Sequence, residues 1–284
     1  MAANQRGFSL VELLISLTLG LIVTSALVQV YQSNNQLQTY NYALSNIQQD
    51  GRYIISAMRQ SLTTVGMYNE FSAALDRSVD VDVEGAYIKS RPLVLEGEFA
   101  LEPTLGSKEG TGSNNDTLVV NLMAQDSCTG SSFDFVDGSE FHVVNEYFVS
   151  DNTLRCRGHD GRYLRGLKTN GANGQSVTLL ENVHALQVLY GVSQPTAGTE
   201  TGAVTSWVSA DRLNAFIDTD GALPVVAIKL AVLIKNDDEI NVDNIRELKL
   251  LGHEAFAAND DGLYRVFESV ILFRNVWNQV TSGG

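Results

Sequence analysis

A lone carboxylate, Glu12, stands inside the apolar run from Phe8 to Tyr31, FSLVELLISLTLGLIVTSALVQVY. On membrane-insertion scales such a charge costs about 2.5 to 3.5 kcal/mol unless it has a partner, so its presence points to a pairing role; the plainer alternative is a carboxylate snorkelling to the headgroups. A second constellation is Cys156-Arg157-Gly158-His159, whose C-x-x-H spacing could, with Cys128 and His142, furnish four zinc ligands. Competing with it is a disulfide between Cys128 and Cys156, the only two cysteines, closing a loop of 28 residues and worth about 3 kcal/mol through restriction of the unfolded chain. Oxidising export favours the disulfide, whereas a reducing compartment would leave free thiols. Asp218-Thr219-Asp220-Gly221 opens like a calcium loop but lacks carboxylates at the later ligand positions, and is expected to be an Asp-Gly turn before Pro224. Asn259-Asp260-Asp261-Gly262 is read the same way. The four histidines, at 142, 159, 184 and 253, are scattered, and no G-x-S-x-G, H-E-x-x-H or P-loop is present. Neither an enzyme, a cofactor nor a metal site is expected.

The elements that would hold these residues begin with the apolar run. As a helix it spans roughly 36 Å at about 1.5 Å per residue, enough for a bilayer core of about 30 Å. The flank Met1 to Gly7 is short and polar with Arg6 at the junction, which keeps this end cytoplasmic and places everything after Tyr31 outside. A secretory signal cut near Ser25 or Ala26 is the alternative; the run is longer than the usual apolar region of about 7 to 15 residues and carries a carboxylate near its start. Export favours the disulfide over free thiols or a metal site, without deciding among them. After Tyr31, the residues Leu37, Tyr40, Leu44, Ile47, Gly51, Ile54, Met58 and Leu62 recur at helical spacings, so the helix is expected to continue as an amphipathic rod to about Leu62. That stripe serves either packing on the chain's own domain or packing between subunits. Gly20 and Gly51 are expected points of bending, and Gly66 a C-terminal stop.

From about Asp80 the pattern becomes short apolar runs divided by Gly, Asn and Asp: Leu118 to Met123, Phe141 to Val149, Val177 to Leu180, Ala185 to Val192, Val225 to Ile234 and Leu263 to Phe273. These predict a mostly antiparallel sheet, with Ser150-Asp151-Asn152-Thr153 as a hairpin turn. Gly106 to Asn115 and Gln194 to Ala203 read as loops, and Ser209 to Ile217 as a short helix capped by Ser209. The fold class expected is therefore α+β. A net charge of −14 and a pI near 4.6 exclude a phosphate-binding groove, so nucleic acid is not expected as a direct partner.

Arg6-Gly7-Phe8-Ser9-Leu10-Val11-Glu12-Leu13-Leu14 resembles the class III signal of type IV pilins and pseudopilins. The resemblance implies that a prepilin peptidase cuts after Gly7 and N-methylates Phe8, and that Glu12 pairs with the new amino group at Phe8 of a neighbouring subunit. The physics agrees, since opposite charges attract far more strongly in an apolar bundle than in water. One donor and one acceptor per chain, offset along a helix, make a head-to-tail contact and an open polymer. Leu180-Glu181-Asn182-Val183, Leu186 to Val192, Val225 to Leu230 and Arg265-Val266-Phe267 leading to Phe273-Arg274-Asn275 are similar to the minor pilin PilW family. The implied organisation is a leader at 1–7, a transmembrane and assembly helix at 8–31, its amphipathic continuation at 32–64, and a periplasmic β-rich domain at 65–284. The implied partners are prepilin peptidase, other minor and major pilins and the inner-membrane assembly machinery. The chain would pass once through the inner membrane and later reach an extracellular pilus. A minor pseudopilin of a type II secretion system, or a pilus-borne adhesin with its binding surface in 71–175, are the alternatives.

Overall fold

The computed structural model describes residues 9–110, 115–171, 174–193, 203–219, 221–236, 246–251, 256–258 and 262–274. The chain divides into two compact units, Met1–Asn46 and Ile47–Gly284. One unbroken helix, α1 (Leu10–Leu62), belongs to the first unit by its N-terminal part and to the second from Ile47 onward. Within the second unit, Ile47, Ile54, Met58 and Leu62 are fully buried at spacings of seven, four and four. Burying each contributes about 1.5 to 3 kcal/mol, which holds the helix where weak propensity would not. The helix ends as expected: Gly66 takes φ 71°, and its N–H donates to Asn121 O at 2.9 Å instead of continuing the helical ladder.

The expectation that Gly51 bends the helix is corrected. A β-carbon there would stand 2.3 Å from ring carbons of Phe267, so Gly51 is a notch that receives this aromatic from the last strand. Nearby, Arg59 Nη2 donates to Ser269 Oγ at 2.8 Å, and Ser61 Oγ meets Tyr147 Oη. Helix α2 (Val81–Ser90) is a second correction, since the segment after Asp80 reads as the beginning of strand-like runs. Its alternating valines mislead; the Asp80 carboxylate accepts the N–H groups of Asp82 and Val83, both at 3.1 Å, and Asp82 and Glu84 add negative charge to the first turn. The helix then buries Ile88 against Tyr68, Leu75 and Met123.

The first sheet is an antiparallel meander of β1 (Leu118–Ala124), β2 (Phe141–Ser150), β3 (Thr153–Asp160) and β4 (Val177–Glu181), in that order. Asp151 and Asn152, at φ 52° and 55°, make the expected two-residue turn between β2 and β3; both torsions are positive, as a type I′ hairpin requires. A one-turn helix, α3 (Gly161–Leu164), follows β3. The second sheet has the order β10 (Tyr264–Leu272), β7 (Val225–Lys235), β5 (Val183–Val192), β6 (Ser206–Val208). Its central strand β7 is buried along nearly its whole length, which is why it reads as a continuous apolar run. A short ribbon of β8 (Arg246–Leu248) and β9 (Phe256–Ala258) brings Leu248 and Phe256 against Ala185, Ala231, Leu233 and Leu250 of the second sheet and its surroundings.

The chain ahead of β1 is tied to β5 by side-chain acceptors. Asn115 Oδ1 takes the Leu186 N–H at 2.8 Å, and buried Asp116 takes those of Val188 at 2.7 Å and Gly110 at 2.8 Å. Burial lifts the Asp116 carboxyl to about 7 even though these two N–H donors favour its charged form, with Glu109 adding to the lift. The segment Ser209 to Ile217 contains a 3-10 helix over Ala210–Phe216; Ser209 occupies the N-cap position, but its hydroxyl meets Asp211 and makes no cap bond to the backbone. The α+β class, with a long N-terminal helix and antiparallel sheets, is thus what the chain forms.

Candidate functional site

Ser9 and Glu12 begin α1 together. Ser9 Oγ accepts the Glu12 N–H at 3.2 Å and Ser9 O accepts that of Leu13 at 3.2 Å, so Ser9 caps the helix with a glutamate three residues on. A carboxylate in the first turn also faces the positive end of the helix dipole. Glu12 is exposed there. Gly7 and Phe8 lie outside the described residues.

From Leu10 to Tyr31 the helix is exposed on every side, and the exposed side chains include Leu10, Leu13, Ile15, Leu17, Leu21, Ile22, Leu27 and Val30. Its few hydroxyls bond the preceding turn, Ser16 to Glu12 O at 2.7 Å and Thr24 to Gly20 O at 2.7 Å, leaving little that needs water. A helix that is apolar all round is stable only when something apolar surrounds it, a bilayer or other helices. This helix has the length and composition to cross a membrane.

Cys128 and Cys156 are joined, with Cα atoms 6.3 Å apart. The bridge fastens the β1–β2 connection to the middle of β3 and consumes both thiols, so the four-ligand set with His142 and His159 does not form. Instead His142 Nε2 meets Asn121 Oδ1 at 2.9 Å, its ring is wholly enclosed, and burial together with the nearby Arg165 and Arg162 holds it neutral. His159 Nε2 meets Glu146 Oε2 at 3.1 Å. The Asp218 segment is the turn expected: its carboxylate accepts the Ala222 N–H at 2.7 Å, and Gly221 has φ 81°. Of the Asn259-Asp260-Asp261-Gly262 segment, only Gly262 is among the described residues.

Sequence reasoning missed a buried charge cluster around Arg162. Its Nε and Nη2 donate to the two oxygens of Glu84 at 2.7 and 2.8 Å, Nη2 also reaches Asp76 O at 2.8 Å, and Nη1 meets the Asp76 carboxylate and Ser78 Oγ at 3.1 Å. Tyr68 Oη donates to Glu84 at 3.2 Å. Burial opposes charge on Asp76, but bonds from Ser78 and Arg162 outweigh it and hold that carboxyl below its ordinary value. Beside the cluster, Lys168 Nζ bonds Asp160 at 2.9 Å and Phe133 O at 2.6 Å, and both cations lie over the Phe135 ring. The arrangement clamps α2, α3 and the bridged loop into one body, with a cleft of about 260 Å³ at its edge. No linear spacing announces it, because Arg162 and Glu84 are 78 residues apart.

Residues 2–28 match the prokaryotic N-terminal methylation motif, and residues 141–275 match the family of type IV pilus-assembly protein W. Among curated proteins no match is found. Among solved structures, a type IV-like pilin from Thermus thermophilus resembles the chain at 16% identity and a TM-score of 0.34, over 59% of this chain and 82% of that one. With a methylation motif on an exposed apolar helix and a PilW match spanning β2 through β10, the chain is a PilW-like type IV minor pilin.

Proposed function

We propose that the chain is cut after Gly7 by prepilin peptidase, is methylated at Phe8, and enters a type IV pilus by seating its α1 among the corresponding helices of other minor and major pilins. It acts by assembly and not by catalysis. Before assembly it rests in the inner membrane with its C-terminal domain in the periplasm, where the assembly machinery collects it. The observation that carries this is the first 22 residues of α1, exposed on every side and bearing one carboxylate, Glu12, in the first turn. In the assembled bundle Glu12 takes the Phe8 amine of an adjacent subunit. At about 4 Å and an effective dielectric of about 20, that pair is worth about 4 kcal/mol. The mature N-terminus tests the processing: a peptide beginning at methylated Phe8 is expected in pilus fractions, and Gly7→Val should leave uncut precursor. A chain beginning near Leu27, or normal processing of Gly7→Val, would overturn it.

A further inference from the structure

Each four-stranded sheet ends in two edge strands, and three of the four are blunted. The outer edge of β1 is taken by the chain that precedes it, since the Asn121 N–H donates to Pro92 O and the Val94 N–H to Val119 O, both at 3.0 Å. Strand β4 is five residues long and its pairing with β3 slips in register between Leu154 and Arg155; β6 has only three residues. Strand β10 is the exception. It runs nine residues, Tyr264 to Leu272, against β7 with no break in register and no proline, and among the described residues no strand lies beyond it.

The register decides which backbone groups face outward. The Asn236 N–H donates to Leu263 O and the Phe273 N–H to Val226 O, both at 2.9 Å, so odd-numbered positions along β10 turn their N–H and C=O groups toward β7. Those of Val266, Glu268, Val270 and Leu272 turn the other way. The odd side chains Phe267 and Ser269 meet α1, while on the opposite face Val270 and Leu272 stand 46% and 59% exposed. A row of alternating donors and acceptors is matched by another extended chain, and the bare apolar side chains call for apolar residues at its alternate positions. Glu268 holds Lys229 at 3.5 Å yet its side chain is 43% exposed, which leaves room for a second cation. A second copy of this chain is the poorer occupant: two-fold pairing of β10 with itself sets the two Glu268 carboxylates opposite or diagonal to one another, on chains that each carry a net charge of −14.

We infer that the outer edge of β10 is a strand-addition site that captures an extended segment of a different protein, one with apolar residues at alternate positions and a lysine or arginine beside Glu268. The contact belongs to the domain and stands whether or not α1 enters a filament.

The probe is a fluorescent synthetic peptide of alternating valine and threonine with a central lysine, titrated by anisotropy into the full-length protein in mild detergent, with amide hydrogen exchange of residues 264–272 followed alongside. Binding is expected, together with slowed exchange along β10. Val270→Pro removes an outward N–H and leaves the β7 ladder whole, so it should weaken binding at least about tenfold with the near-ultraviolet circular dichroism unchanged. Val270→Lys repels the lysine of the probe and should weaken binding at least about fivefold, as should glutamate in place of that lysine. No binding up to about 1 mM, binding without slowed exchange along β10, or a Val270→Pro chain that binds like the parent overturns the inference. If Val270→Pro loses its near-ultraviolet signal, Val270→Lys decides, and parental affinity in that variant overturns the inference equally.

Discussion

Replacing Arg162 by Met removes one side chain but strands another. Arg162 is 1% and Glu84 0% exposed, so the guanidinium is the charge that makes burial of the Glu84 carboxylate tolerable. Without it that carboxylate keeps the Tyr68 hydroxyl at 3.2 Å and little else. Leaving a buried charge unpaired costs about 3 to 5 kcal/mol, whereas Asp76, a quarter exposed, adds no more than about 1 kcal/mol. Since a domain's whole stability is about 5 to 15 kcal/mol, Arg162→Met should approach the unfolding threshold. The discriminating partner is Arg162→Met with Glu84→Gln, which deletes both charges and should recover more than half of the loss. Urea unfolding of the full-length protein in mild detergent, followed by near-ultraviolet circular dichroism, measures both variants. The reasoning fails if the single change costs less than about 1 kcal/mol, or if the double variant is no more stable than the single.

Gly51→Ala improves helix propensity by about 1 kcal/mol, yet should destabilise by about 1 to 2 kcal/mol net because its methyl group meets the Phe267 ring; thermal unfolding should show Phe267→Leu relieving it. Asp116 has a folded-state pKa of about 7, raised above the usual carboxylate value, so its contribution to stability is greatest below about pH 4 and is lost as pH rises toward 7 and beyond, by at most about 4 kcal/mol. The difference in stability between the parent and Asp116→Asn should therefore change across pH 4 to 8 and stay flat outside that window; a constant difference would count against the raised pKa. Cys128→Ala with Cys156→Ala should cost about 3 kcal/mol, read as a lower unfolding midpoint that matches the reduced parent.

The helix and the central strands could be read from sequence because their signals are local. The Leu10–Leu62 helix declares itself by apolar periodicity, and β5, β7 and β10 by short runs rich in Val, Leu, Ile, Phe and Tyr. The Asp151-Asn152 hairpin declares itself by residues that tolerate positive φ. Two misreadings were also local. By sequence the strand-like pattern begins at about Asp80, whereas the Asp80 cap starts a helix there, and Gly51 looked like a hinge because a helix glycine costs propensity, while its purpose lies with Phe267, more than two hundred residues away. The Arg162 cluster was invisible for the same reason: Glu84, Asp76 and Arg162 meet only through the tertiary fold. Glu12, by contrast, was conspicuous from the start, since a carboxylate in an apolar run breaks a rule that only a partner can restore.

That partner is the central claim, and the incorporation of Glu12→Leu measures it. Making the segment wholly apolar lowers its insertion cost, so the variant should accumulate in the membrane, be processed and fold at least as well as the parent. In filaments it would leave a neighbour's Phe8 amine unpaired among apolar helices, at a cost of several kcal/mol. The ratio of sheared-filament protein to membrane protein is expected to fall at least about tenfold for Glu12→Leu while the membrane pool holds or rises; a ratio equal to that of the parent chain would contradict the account.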